Sequence, residues 1–306
     1  MNGEAFLVFL LAVAFDLIIG EPPTKIHPVV WIGKLISFLK NRARPTKADG
    51  LMLAIIVIIA TVLAGHAIVV ALGSIPILGG LLSTAAAAYL LKSTFAIRCL
   101  LQTSKDIGRM IDSNIDEAKR MLPALVGRET KDLTSAQAAS AVIESVSENY
   151  VDTIISPIFY FILFSPFGLG LEAALAFKAM STMDSMLGYK TKGLKELGYV
   201  PAKLDDIANY IPARLSILLI AFARPSRAAA AITSALRDHS KTPSPNSGWP
   251  MSASAGSLDV KLEKPGFYVL QEKGKEAATS DIPDAVRLIG RASILVLGIS
   301  SLILLW

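Results

Sequence analysis

The chain has 306 residues, 53% of them hydrophobic and 18% charged, with a formal net charge of +5 and a mean hydropathy of +0.53. These values exclude an ordinary soluble globular protein and place the chain among integral membrane proteins. Its one cysteine, Cys99, excludes an intramolecular disulfide and a multi-cysteine metal site, and no aromatic-interleaved basic motif suggests a nucleic-acid partner.

Residues 5–19 read as a short apolar helix interrupted by Asp16, with neither the basic start nor the small-residue cleavage site of a removed signal. A loop is expected over 20–50. It carries Lys34, Lys40, Arg42, Arg44 and Lys47 with no acid between Lys34 and Asp49, and so reads as cytoplasmic. Residues 51–91 hold no Asp, Glu, Lys or Arg and fit two spans, broken near Gly73-Ser74-Ile75-Pro76. Residues from about 92 to 150 read as a polar, helical, cytoplasmic segment, punctuated by Pro123 and Gly127.

Residues 153–183 admit a single tilted span or a re-entrant hairpin. The breakers Ser165-Pro166-Phe167-Gly168 favour the hairpin. Residues 215–223 are too short to span, and an alanine-rich stretch follows Arg224-Pro225. The stretch from about 238 to 287, with Pro243, Pro245, Pro250 and Pro265, reads as loop-rich and cytoplasmic. An apolar helix closes the chain at 292–306, with Arg287 and Arg291 placed to snorkel. The expectation is one all-α, polytopic integral membrane domain with re-entrant or interfacial helices and an active site facing the cytoplasm.

Five constellations carry possible chemistry, each with a plainer reading beside it. Glu144, Glu148 and Asp152 recur every four residues, so in a helix they share a face with Asn149 close by. Such a face suits Mg²⁺, or is a charged helix end. Asp205, Asp206, Asn209 and Arg214 in L-D-D-I-A-N-Y-I-P-A-R suit a metal–phosphate clamp, or a polar helix start capped by Asp205. Asp184, Tyr189 and Lys190 in M-D-S-M-L-G-Y-K suit a charged ligand at the membrane surface, or an acid at the interface. Ser244, Asn246 and Trp249 in S-P-N-S-G-W-P suit a rigid binding loop, or a turn. Glu21 and His27 suit acid–base work or ligation, or a solvated loop. His66, inside an apolar run, is expected to hydrogen-bond a neighbouring helix. Neither a Walker A nor a G-x-G-x-x-G sequence is present.

In order, these runs resemble the adenosylcobinamide-phosphate synthase family of cobalamin biosynthesis over nearly the whole chain. The resemblance lies in D-L-I-I-G-E-P-P and H-P-V-V-W-I-G (16–33), V-G-R-E-T-K-D-L (126–133) and E-S-V-S-E-N-Y-V-D-T-I-I-S-P (144–157). It continues in M-D-S-M-L-G-Y-K (183–190), L-D-D-I-A-N-Y-I-P-A-R-L (204–215) and S-P-N-S-G-W-P (244–250). It implies an ATP-dependent membrane ligase that joins a carboxylate of a corrinoid, adenosylcobyric acid, to the amine of aminopropanol phosphate or a related amino-alcohol, with Mg²⁺ and ATP as cofactors. On that reading Glu144, Glu148, Asn149, His27 and Glu21 are catalytic candidates. Arg128, Asp184, Tyr189, Lys190, Arg214, Ser244, Asn246 and Trp249 bind substrate or phosphate, and Asp152, Asp205, Asp206 and Asn209 hold metal. The bilayer is the expected partner; the oligomeric state is open. Two other classes compete: a Mg²⁺-dependent membrane transferase acting on a diphosphate, which wants paired D-x-x-x-D motifs, and a transporter, which wants inverted repeats the sequence lacks.

Overall fold

Helix boundaries follow the breakers and caps. The computed structural model describes residues 2–126, 130–188 and 194–306. In chain order the helices are α1 (Asn2–Ile18), α2 (Pro28–Lys40), α3 (Lys47–Gly73), α4 (Gly79–Lys92), α5 (Ile97–Ser113), α6 (Ile115–Met121), α7 (Ser135–Tyr150) and α8 (Ser156–Phe164). They continue with α9 (Gly170–Leu187), α10 (Tyr199–Ala208), α11 (Tyr210–Ala223), α12 (Ala228–Asp238), α13 (Gly248–Leu258) and α14 (Ile282–Leu305). Strands β1 (Val260–Lys264), β2 (Tyr268–Leu270) and β3 (Lys275–Glu276) form a small sheet in the order β2-β1-β3. Among the described residues, four helical stretches are long and apolar enough to cross a membrane: Lys47–Gly73, Gly79–Ser113, Ser135–Phe167 and Thr279–Leu305. A fifth is added if α10 and α11 count as one bent span. The all-α, polytopic reading therefore holds, with the small sheet as an addition.

The chain divides into two compact units. The first comprises residues 1–96, 156–208 and 299–306. The break expected near Gly73–Pro76 lies between α3 and α4, which pack against each other, and α8 and α9 pair across the turn at 165–169. The stretch 153–183 is thus a helical hairpin, bent where proline and glycine oppose helix continuation. One correction concerns residues 20–50, which are not all loop. His27 accepts a bond from the Val29 N–H as N-cap of α2, with Pro28 in the first turn. Ile32 and Ile36 then bury against Leu53, Ala54 and Val57 of α3 and Ala179, Met183 and Leu187 of α9. The basic residues masked this apolar face.

The second unit comprises residues 97–155 and 209–298. At its centre lies α13, every residue of which from Pro250 to Leu258 is buried. This corrects the loop-rich reading of 238–287. Pro250 falls in the first turn, where a missing N–H breaks no helical bond. The small residues of S-A-S-A-G-S-L, which resemble a linker, let α7, α11 and α12 all pack closely on the same helix. Its last carbonyls are bonded by guanidinium groups: Arg224 donates to Ser257 O (3.1 Å) and Arg227 to Gly256 O (3.4 Å). After α13 the chain forms a hairpin, turning at Pro265-Gly266-Phe267, where Gly266 has φ +76°. The register sets Lys264 opposite Tyr268, so both side chains leave the same face of the ribbon.

Candidate active site

The face of α7 that carries the acidic repeat packs against that hairpin, and the space between them is a cavity of about 210 Å³. Glu144, Ser145 and Glu148 line it from α7, Lys264 and Tyr268 from the hairpin, and Leu125 and Val126 from the segment before α7. Glu144 is only 4% exposed. One carboxylate oxygen accepts the Ser140 hydroxyl (2.8 Å) and the other the Tyr268 hydroxyl (2.7 Å). Ser140 in turn accepts the Glu263 N–H of β1 at 2.8 Å. The carboxylate is thereby fixed in direction from both sides. Asn149 bonds the Ser145 carbonyl (3.0 Å) and hydroxyl (2.9 Å), and Ser145 donates to Leu125 O at 2.5 Å. Asn149 therefore braces the wall and does not line it.

Asp152 does not join this lining. Residues Val151–Ile155 form a π turn, so the regular α-helical winding ends at Tyr150. Asp152 is half-buried and is not among the cavity-lining side chains.

A second cluster lies at the N-terminus of α13. Ser244 accepts the N–H groups of Asn246 (3.2 Å) and Ser247 (3.3 Å), making the S-P-N-S-G-W-P run a closed turn. A Cβ at Gly248 would stand 1.9 Å from the His239 carbonyl oxygen, so only glycine allows this approach. The turn presents Trp249, which stacks on His239 at 3.6 Å between ring centroids. The Arg214 guanidinium lies 5.1 Å from the Trp249 centroid and 3.4 Å from that of Tyr210, and it donates to Asn246 Oδ1 at 3.3 Å. Partial burial, then the Arg214 charge, holds the His239 imidazole below its ordinary pKa. The result is a cationic, aromatic patch suited to a flat or anionic group. His239 and Tyr210 were not singled out from sequence, since lone aromatic residues beside a turn carry no spacing signal.

In the first unit, Glu21 and His27 meet at 2.9 Å. His27 Nδ1 accepts the Val29 N–H at 3.2 Å, which assigns the ring proton to Nε2, facing Glu21. Neither ring nitrogen is left to take a substrate proton, so the histidine orients and caps. Lys92 completes the group: fully buried, it reaches Glu21 at 2.7 Å and Asp16 at 3.0 Å. Burial pushes the Glu21 carboxyl up, but the bonds from His27 and Lys92 outweigh it and hold the group below its ordinary pKa. Elsewhere in this unit His66 pairs with Glu172 of α9 at 2.8 Å, the inter-helix bond expected of it.

Asp184 closes α9, half-buried. Burial and then the nearby Asp206 push its carboxyl up to about 6. Asp205 and Asp206 lie in the last turn of α10, not at a helix start, so the capping reading of Asp205 is corrected. Asp206 also pairs with Lys203 at 3.0 Å. The folded-state value of Asp184 exceeds that of an unfolded aspartate, near 3.9. Its ionisation therefore opposes folding as pH rises from about 4 to about 6, and the penalty persists above that. Asp184→Asn is expected to stabilise the ligand-free protein by about 1–3 kcal/mol at pH 8 and by nothing near pH 4. Thermal unfolding at the two pH values checks this, and equal midpoints at pH 8 would refute it.

Arg128, Tyr189 and Lys190 lie outside the described residues. Of the metal candidates, Asp205 and Asp206 belong to the first unit and Asp152 and Asn209 to the second. Among the described residues no group of three or more His, Cys, Asp or Glu side chains is arranged to hold a metal ion.

The chain is similar to known proteins over almost its whole length. The family model described as CobD/Cbib protein matches residues 9–290. A probable cobalamin biosynthesis protein CobD of Methanothrix thermoacetophila is 51% identical over 306 residues, covering 98% of this chain and 97% of the relative. Cobalamin biosynthesis proteins CobD of Klebsiella pneumoniae and Dehalococcoides mccartyi are each 34% identical, covering 96% and 94% of this chain and 95% and 94% of the relatives. No solved structure matches the chain.

Proposed function

The chain belongs to the CobD/Cbib family, and on that premise we propose that it is the cobalamin-biosynthetic ligase that uses ATP to join adenosylcobyric acid to aminopropanol phosphate or a related amino-alcohol. The product is adenosylcobinamide phosphate. The observation that carries the reading is the Glu144 carboxylate, buried in a cavity wall and held by Ser140 and Tyr268. A carboxylate is a poor acyl donor because its oxygen leaves badly. Transfer of a phosphoryl group from ATP to the corrinoid carboxylate gives an acyl phosphate and ADP. The amine then attacks the carbonyl and inorganic phosphate departs. An attacking ammonium must first lose a proton, and a fixed carboxylate within hydrogen-bond reach is the group that receives it. Glu144 fills that role here, with Ser140 and Tyr268 positioning it.

Arg214, with Asn246 and Trp249, offers a guanidinium and an aromatic face suited to a phosphate-bearing substrate. The described acids do not form a metal cage. Mg²⁺, where present, is expected to arrive on ATP, neutralising phosphate charge. The active site is assigned to the cytoplasmic side, where ATP is found. A reconstituted reaction tests the whole reading. Protein in lipid nanodiscs with adenosylcobyric acid, ATP, Mg²⁺ and aminopropanol phosphate should yield the amide together with ADP. Product formed equally well without ATP would refute it, and release of AMP in place of ADP would replace the acyl phosphate with an adenylate.

A further inference from the structure

We infer that the cavity between α7 and the β1–β2 hairpin is the amine-substrate subsite, taking a small zwitterion: a primary ammonium at Glu144 and Glu148, and a phosphate monoester at Lys264. This rests on the ligase reading and adds to it the place and polarity of one substrate. Three features carry it. The first is size. About 210 Å³ falls below the roughly 300–1,000 Å³ of pockets that enclose drug-sized ligands. The space matches a molecule of about ten heavy atoms.

The second is charge of both signs on facing walls. Glu144 and Glu148 project from one helix, and Lys264 projects from the hairpin tip. A purely anionic or purely cationic ligand would meet like charge on one side, whereas a ligand with separated charges meets opposite charge on both. The third is that the Lys264 ammonium has no carboxylate partner among the described residues. Its nearest described partner is the Phe267 ring, 5.0 Å from Nζ. A half-buried ammonium beside two carboxylates that does not pair with either keeps its charge for a third party. The hairpin fixes this arrangement. Lys264 and Tyr268 are cross-strand partners, so the residue that orients Glu144 and the residue that meets the phosphate move as one unit.

Equilibrium binding to the full chain in nanodiscs, without ATP or corrinoid, reads the subsite directly. The probes are 1-amino-2-propanol phosphate, 1-amino-2-propanol and 2-propyl phosphate. Wild type should bind the bifunctional probe at least about tenfold more tightly than either half, since both ends are held by charge-assisted bonds. Lys264→Met should reduce its affinity to that of the phosphate-free amine and leave the amine's own affinity unchanged. Lys264→Arg should stay within about threefold of wild type, showing that a cation at this place suffices and that the hairpin still folds. In turnover, Lys264→Met should raise KM for the amine substrate at least about tenfold, with KM for ATP and for the corrinoid within twofold. Unchanged binding in Lys264→Met, or a rise confined to KM for ATP, would overturn the subsite while leaving the ligase reading intact. Absence of ATP-dependent amide formation by wild type would fail the ligase reading itself, a result the binding titration does not depend on.

Discussion

Glu144→Gln is expected to lower the rate of amide formation by about 10²–10⁴, the usual worth of a positioned acid–base group, with the folded protein retained. Gln is isosteric, but its amide end presents donors to one of two hydroxyl donors, Ser140 or Tyr268, that the carboxylate accepts at 2.8 and 2.7 Å. One hydroxyl must turn away, at a local penalty of about 1–3 kcal/mol, which is small beside the loss of the proton acceptor. Tyr268→Phe separates positioning from proton transfer. It removes one bond to Glu144 and leaves the carboxylate, so a loss near tenfold is expected, with the pH–rate profile moved. Single-turnover formation of the corrinoid amide from preformed enzyme–substrate complex is the measurement. A Glu144→Gln enzyme within threefold of wild type would remove Glu144 from the chemistry. Equal losses in both variants would make the group structural.

The parts of this arrangement that were legible in the sequence are those that repeat locally. The four-residue spacing put Glu144 and Glu148 on one helix face, and both line one cavity. The breakers at 73–76 and 165–168 gave two helical hairpins because glycine and proline act on their own neighbours. Contributions from distant chain were invisible. Lys264 and Tyr268 lie more than a hundred residues from Glu144 and read as linker, because the hairpin pattern V-K-L-E-K-P-G-F-Y-V-L is short and its turn holds both Pro and Gly. α13 was missed for a related reason: Ser, Ala and Gly mark loops at a surface, yet in a buried helix they are the residues that admit close neighbours. Asp152 continues the spacing yet does not line the cavity, and the π turn it sits in has no sequence signature as plain as that of proline.

Lys92→Met should be among the most destabilising single substitutions in the chain, by about 3–5 kcal/mol, the range for breaking a buried pair from one side. Lys92 and Asp16 are both wholly buried and 3.0 Å apart, and the same ammonium holds Glu21 at 2.7 Å. Methionine fills the stem's volume, so packing is largely kept and the loss is electrostatic. Two carboxylates then lie near each other without the ammonium that joined them. The sequence carried a signal for this pair. Asp16 interrupts the first apolar run, and Lys92 is the first charged residue after an uncharged stretch from 51 to 91. A lone acid and a lone base in apolar frames are each so unfavourable that mutual pairing is the economical arrangement. The double variant Asp16→Asn, Lys92→Met discriminates mechanism. It removes a buried carboxylate together with the ammonium, so it should be more stable than Lys92→Met alone despite carrying one more change. Thermal unfolding in detergent orders the three proteins. If the double variant is the least stable, the two residues act additively and the buried pair is not what joins α1 to α4. If it falls between wild type and Lys92→Met, the ammonium is the link, and through Glu21 and His27 that link also sets the start of α2.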